Sequence, residues 1–479
     1  MPLAEEEPGR AWARVKLLLA FVACAHVIWP LFRDPALGWP LAPARRLGLF
    51  VVLAGFLPYA FRRKAAARSG ADLVLLIASP LYLLAIGNGL TLTSGDNLAT
   101  RALGPSIVQR GTLDVSAYPP FDVPPLEYAA VRVGAHVLPA FPLGTGLLTV
   151  PYAAVAVTLS RGRVDAALLA RWEKHAAALF GVAAALLFFL GVRRRFGERA
   201  AVGCTFTLVL ATPFLSSVTQ ALWATTGEVL LTCAVLALVL PEEGSLLRHA
   251  AAGLAMGGAF LCRPTAAIPI LAIGWALLPR RRKALAFLLS SGVAIVAVSA
   301  WMLALYNHPL GGYGLLNVRV GAWRLGLPGL PGVLFSPSRG LLVFFPYLLL
   351  LPPLLMRRRL DIGAARWVGS SLGCLVLLVF LVSGYAKWWG GHSLGPRLLT
   401  EAAPFLALAT IPAWREKSAR SGSRAAFLVA LAFASLTQLL LTYNLAAARW
   451  NDVPEVDENP ARLWSVRSSQ LSAAWGIGP

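Results

Sequence analysis

Charged residues are scarce in this sequence, and the few present fall into recognisable groups. Ser94-Gly95-Asp96-Asn97 places a carboxylate where a long apolar run gives way to Leu98-Ala99-Thr100-Arg101, a plausible helix start. A carboxylate at such an edge can act as general base toward a hydroxyl, can ligate a divalent metal ion, or can be only a helix cap. A second acid, Glu228, follows Gln220-Ala221-Leu222-Trp223 within an apolar stretch, where acids are rare and face protein or water-filled space. The candidate cations are Arg101, Lys174, Arg263 beside Pro264, Arg339 in Ser336-Pro337-Ser338-Arg339-Gly340, and Lys387, His392 and Arg397 around Trp388-Trp389-Gly390-Gly391. Paired glycines let backbone approach closely, and fixed cations suit a phosphate or pyrophosphate. Asn97, Tyr118, His136, Gln220, Trp223, Trp388 and Trp389 are the candidates to line a substrate. A lone histidine and interfacial tryptophans also have purely structural uses.

The elements that must position these residues follow from composition. Of 479 residues, 57% are hydrophobic and 14% charged, with a net charge of +21. Soluble domains carry about a quarter charged residues, and a nucleic-acid binder would not hide its bases among apolar runs. An all-α polytopic membrane protein is expected. The five cysteines all lie in apolar stretches, without the pairing of a metal site or disulfide framework. Arginine far outnumbers lysine, a bias of GC-rich bacterial genomes. The run 15–31 ends in Trp29-Pro30-Leu31, a poor cleavage site, and so reads as a first span rather than a signal peptide.

Runs long enough to cross a bilayer fall at 15–31, 47–59, 71–92, 174–191, 199–217, 221–240, 284–305, 341–356, 366–383, 398–411 and 425–441. That is about 11 full transmembrane helices. Two shorter runs, 249–261 and 265–278, flank Arg263-Pro264 and read as a half-depth pair. Basic clusters at 62–68, 193–199, 280–283, 357–366 and 415–424 should all be cytoplasmic. Crossing parity then demotes 142–159, rich in glycine and proline, to a surface or re-entrant helix on the outer side. The N-terminus is cytoplasmic on this map. The outer face receives a large loop at 93–173, with juxtamembrane helices, and loops at 306–339 and 384–396. The expected organisation is a two-span addition at 1–70, a transmembrane module at 71–441 and an extracytoplasmic tail at 442–479. Nearly all the unusual polar residues fall on that outer side.

The ordered set Ser-Gly-Asp-Asn (94–97), Phe-Pro-Leu-Gly (141–144), Gln-Ala-Leu-Trp (220–223), Arg-Pro-Thr (263–265), Ser-Pro-Ser-Arg-Gly (336–340) and Trp-Trp-Gly-Gly-His-Ser-Leu-Gly-Pro-Arg (388–397) resembles bacterial membrane glycosyltransferases of the GT-C superfamily. These are relatives of protein mannosyltransferases and aminoarabinose transferases, and the resemblance covers roughly residues 75–467. It implies an enzyme of the bacterial inner membrane, with its active site on the extracytoplasmic face. Its donor would be a polyprenyl-phosphate-linked sugar, and its acceptor a glycan, lipid or protein. Asp96 fills the place of the family's catalytic base or metal ligand, so a divalent metal ion is the one cofactor implied. Many relatives carry a second acid where Asn97 stands, and many carry aspartate where this chain has Glu228. The departing phosphate needs fixed cations, a role open to Arg101, Lys174, Arg263, Arg339, Lys387, His392 and Arg397. Two other readings stay open: a lipid-linked glycan ligase or polymerase, and a flippase or transporter of lipid-linked sugar. The latter would show paired inverted repeats with broken helices in both halves.

Overall fold

Apolar runs in this chain fold as single long helices only where proline does not interrupt them. The computed structural model describes residues 77–89, 92–122, 128–320, 323–324, 326–356, 360–415 and 422–477. The expected spans 15–31 and 47–59, the 1–70 addition and the start of 71–92 lie outside the described residues. The framing helices are α1 (Leu98–Arg110), α2 (Ala166–Phe196), α3 (Ala224–Val239), α4 (Leu246–Cys262), α5 (Ala267–Leu277), α6 (Arg281–Tyr306), α7 (Ile362–Ser383) and α8 (Gly422–Tyr443). Among the described residues, α2, α6, α7 and α8 are long and apolar enough to cross a membrane alone.

The expected count of about 11 full spans is not reproduced among these residues. The run 199–217 forms Glu198–Leu210 and then, past Pro213, a separate turn at Phe214–Val218. The run 341–356 breaks at Pro346 into three short pieces. The run 398–411 is a 3-10 turn, Arg397–Ala402, followed by the short helix Ala403–Ala409, and it is buried throughout its middle. Run length measures apolarity, and a segment buried in protein reads the same as one facing lipid. The run 142–159 is likewise two short helices, Gly144–Leu148 and Val150–Leu159, neither long enough to span.

Two local features bear on the site. α4 stops at Arg263, whose backbone is extended (φ −160°, ψ 120°), and the chain re-enters helix through Pro264–Ala266 into α5. The break falls where the sequence placed it, because proline cannot continue the ladder of hydrogen bonds. α2, by contrast, starts eight residues before the expected span. Asp165 caps it by accepting the Leu168 N–H at 2.8 Å, which puts Glu173 and Lys174 two turns inside the helix. The irregular part of the large loop therefore ends at Asp165, and the stretch 166–173 is already helical.

Small residues bring α4 and α6 together. A β-carbon at Gly253 would overlap Ser290 and the Phe287 carbonyl, and one at Gly257 would overlap Ala294. α3 packs on both α2 and α4. A short antiparallel hairpin, β1 (Ala130–Val133) with β2 (His136–Pro139), lies in the connection between α1 and α2.

The bundle has two chemically different ends. At one, Arg195 meets Glu242 (2.7 Å) and Asp361 (3.9 Å), Arg280 meets Glu242 (3.4 Å) and Arg415 meets Asp361 (2.6 Å). Basic residues of three clusters thus gather together, around Glu242 and around Asp361 of the 357–366 stretch. The long helices run from that end to the other, where a wide cavity opens.

Candidate functional site

The cavity has a volume of about 1050 Å³. It is assembled from the entry to α1, the ends of α3 and α4, residues 313–317 and 323–324, the 381–398 segment, and residues 448–457 of the C-terminal tail. Asp96 is at its heart. It does not cap α1: Ser94 caps the preceding 3-10 turn Gly95–Asn97 by accepting the Asp96 N–H at 3.3 Å, and Asn97, at the N-cap of α1, makes no side-chain cap bond. The Asp96 side chain is left for the cavity. Its Oδ1 accepts the Tyr128 hydroxyl at 2.6 Å, and its Oδ2 pairs with Arg397 Nη2 at 3.2 Å. Burial, then the Asp96 charge and the hydrogen bond to it, push the Tyr128 phenol up, so it remains a donor.

Arg397 is held on three sides. Its guanidinium lies 3.9 Å from the centroid of the Trp223 ring, and Nη2 also donates to the Gly390 carbonyl at 2.9 Å. Gly390 and Gly391 both take positive φ (75° and 61°), a turn that β-carbons disfavour. Lys387 and Trp389, just before this turn, are clamped by the tail: Asp457 accepts Lys387 Nζ and Trp389 Nε1, each at 2.7 Å. Burial acts to raise the Asp457 carboxyl, but these two donors and the nearby charges of Lys387 and His392 outweigh it. The carboxyl ends below its ordinary range. His392 sits between Asp452 (3.0 Å from Nδ1) and Glu455 (3.2 Å from Nε2). Arg263 lines the floor, its Nε 3.4 Å from Glu401, which also accepts the Thr265 hydroxyl at 2.6 Å.

Asp96, Asn97, Trp223, Arg263, Lys387, Trp389, His392 and Arg397 therefore come together around one space. The other candidates do not line it. Arg339 is buried and spends its guanidinium on Trp389 O (2.9 Å), Ser338 O (2.9 Å), Gly391 O (3.3 Å), Asn451 Oδ1 (2.7 Å) and Gln470 Oε1. It braces the turn rather than facing a ligand. Lys174 donates to Gln220, which also meets Asn88 and the Leu215 carbonyl, so this buried group belongs to the packing between helices. Arg101 faces Glu173 at 3.6 Å. Glu228 is fully buried off the cavity, accepting Thr232 Oγ1 at 2.8 Å. Tyr118 donates to Gln109, His136 pairs with Asp114, and Trp388 packs between Trp389 and Trp464.

Asp96 lacks the companions that a divalent ion needs. Asn97 turns its amide to Thr93 Oγ1 (3.2 Å), and a cation already sits on the carboxylate. Among the described residues no three His, Cys, Asp or Glu side chains gather as a metal set. This donor set does not fit a bound ion.

No family model matches the chain, and no curated protein matches it. Among solved structures, ArnT from Cupriavidus metallidurans, bound to undecaprenyl phosphate, aligns with a TM-score of 0.45 and 16% identity, over 85% of this chain and 76% of that one. The Archaeoglobus fulgidus oligosaccharyltransferase AglB, in complex with an inhibitory peptide and a dolichol-phosphate, aligns with a TM-score of 0.43 and 12% identity. That alignment covers 90% of this chain and 61% of AglB. A complex of an A. fulgidus oligosaccharyltransferase with Zn and sulfate aligns at 0.42 and 14% identity, over 83% of this chain and 58% of its own. The chain thus spans less than two thirds of either oligosaccharyltransferase chain. ArnT, an aminoarabinose transferase, and AglB are both of the GT-C superfamily.

Several cavity residues carry no signal as isolated letters. Tyr128, Tyr313, Trp323 and Tyr385 form an aromatic side together with Phe141, whose ring lies 6.1 Å from Tyr128 and 6.3 Å from Tyr313. Trp323 and Tyr385 are 5.5 Å apart, and Arg324 beside them is tied by its N–H to the Gly384 carbonyl at 2.8 Å. Asp452, Glu455 and Asp457 arrive from a tail whose only distinguishing mark in the sequence is its acidity. Glu401 could have been suspected, as an acid in an apolar run like Glu228.

Proposed function

We propose that this chain is a membrane glycosyltransferase that moves a sugar from a polyprenyl-phosphate donor to an acceptor on the extracytoplasmic face. The observation that carries the reading is the Asp96 carboxylate, free of any capping duty, facing a large cavity among cations at the end of the bundle away from the basic clusters. In the reaction, Asp96 takes the proton of the acceptor hydroxyl as the acceptor oxygen attacks the anomeric carbon. The bond from that carbon to the phosphate oxygen breaks, its electron pair leaves with the polyprenyl phosphate, and configuration inverts. Arg397, Arg263 and Lys387 stand where the departing charge develops, and the Tyr128–Phe141–Tyr313 side offers flat faces to a sugar ring. A donor confined to the membrane plane reaches such a site without crossing the bilayer.

The cavity volume is at the top of the range for small-ligand sites, roughly 300–1,000 Å³. That favours, as a second reading, a ligase that moves a longer glycan from a lipid pyrophosphate. The test is to incubate purified protein with a panel of radiolabelled polyprenyl-phosphate sugars and lipid-pyrophosphate glycans. Transfer or donor hydrolysis with one class identifies the donor, whereas inertness toward every member of both classes discards the enzyme reading.

A further inference from the structure

Both oxygens of the Asp96 carboxylate are already engaged, Oδ1 by Tyr128 at 2.6 Å and Oδ2 by Arg397 at 3.2 Å. A base so occupied has no oxygen directed at an acceptor. The two partners differ in how firmly they hold. The Tyr128 bond is short, and its ring lies against Gly95, where a β-carbon would come within 2.6 Å of it. The Arg397 pair is longer than the 2.7–2.9 Å usual for charge-assisted bonds. Its Nη2 is divided between Asp96 and the Gly390 carbonyl, whereas among the described residues its Nη1 and Nε make no hydrogen bond. The guanidinium rests on the face of Trp223, along which it can slide without losing the cation–π contact. The neighbouring cations are more committed: Lys387 to Asp457, Arg263 to Glu401, Arg339 to its five acceptors.

We propose that Arg397 is shared between Asp96 and the donor phosphate, so that donor binding draws the guanidinium off Asp96 and frees Oδ2 for the acceptor hydroxyl. The inference rests on the glycosyltransferase reading and adds a regulation to that site. Before the donor arrives, Arg397 neutralises Asp96 and keeps it from activating water. Once the phosphate claims the spare nitrogens, the carboxylate is unmasked beside a donor ready for attack. The base is thus switched on by the substrate it serves, and the binding order becomes donor first.

Competition for one cation has a thermodynamic signature. The probe is farnesyl phosphate, titrated calorimetrically into the full chain purified in detergent. Asp96→Asn releases Arg397 and should tighten farnesyl phosphate binding about fivefold or more, the lower end of ordinary coupling between two sites. In an Arg397→Gln background the same Asp96→Asn change should alter affinity less than about twofold, because the shared cation is gone. Asp96→Ser serves in the same way if the Asn variant does not fold. An Asp96→Asn affinity equal to or weaker than wild type overturns the proposal. So does a gain of the same size without Arg397, which would be plain repulsion between carboxylate and phosphate. Failure of the wild type to bind the probe at all would instead overturn the functional reading beneath it.

Discussion

At the scale of single residues, what separates a site residue from a structural one is whether it borders open space or is enclosed by protein. Asp96 and Arg339 make the contrast. Asn retains nearly the size of Asp, and the Asp96 side chain caps no helix, so Asp96→Asn should fold normally. If the carboxylate is the base, that variant loses roughly 100-fold or more in transfer rate while still binding the donor. Near-normal transfer would remove Asp96 from the mechanism, and radiolabelled transfer assays decide the point. Arg339→Ala should fail differently. It leaves the buried Asn451 Oδ1 without its donor, takes one of two donors from Trp389 O and Gln470 Oε1, and should destabilise the protein by about 1–3 kcal/mol. Thermal unfolding in detergent should show this, with Lys a poor rescue because it lacks the planar fork.

At the scale of elements, the 387–397 segment is a strap held by two others. The Gly390–Gly391 turn aims one carbonyl at Arg397 and the next at Arg339, and both residues need positive φ. Gly390→Ala adds a β-carbon 3.1 Å from Leu398 in a left-handed conformation, a cost of about 1–2 kcal/mol. It should lower the melting temperature and weaken donor binding together, read by thermal unfolding and calorimetry on the same preparation. The tail holds the strap from outside through Asp457, whose carboxyl is depressed in the fold. A depressed folded-state value stabilises above the unfolded value, about 3.9, and that stabilisation disappears as pH falls through the folded value. The difference in melting temperature between wild type and Asp457→Asn should therefore be constant from neutral pH to about 5. It should shrink below about 4. A difference already lost at pH 6 would mean that another group controls the clamp.

At the scale of the whole molecule, the separation of a basic end from the cavity end makes a definite claim about sidedness. Arg163 lies just before α2, at the cavity end, where Gln109 donates to the neighbouring Gly162 carbonyl, whereas Arg282 lies at the basic end of α6. The four described cysteines are buried, so they contribute little background to thiol labelling. With the positive-inside rule, an impermeant thiol reagent should modify Arg163→Cys in intact cells and Arg282→Cys only after lysis. The reverse pattern would turn the molecule over and leave the lipid-donor argument without its compartment.

The sequence by itself determined the class of molecule, because apolarity and charge scarcity depend on composition and not on contacts. It also determined the helix break at Arg263-Pro264, since proline acts on its own backbone, and a group of residues, from Asp96 to Arg397, that does meet around one cavity. It did not determine which apolar runs stand alone as membrane-length helices, as the broken segments at 341–356 and 398–411 show. Nor did it separate Arg397 from Arg101, Lys174 or Arg339. All are cations beside suggestive neighbours, and only the fold reveals that Glu173, Gln220 and the Asn451–Gln470 pair engage the latter three. Asp96 and Arg397 are 301 positions apart. A contact of 3.2 Å between them is set by how α3, the strap and the entry to α1 pack, and so is every difference between a cation free for a phosphate and one already bound by the protein.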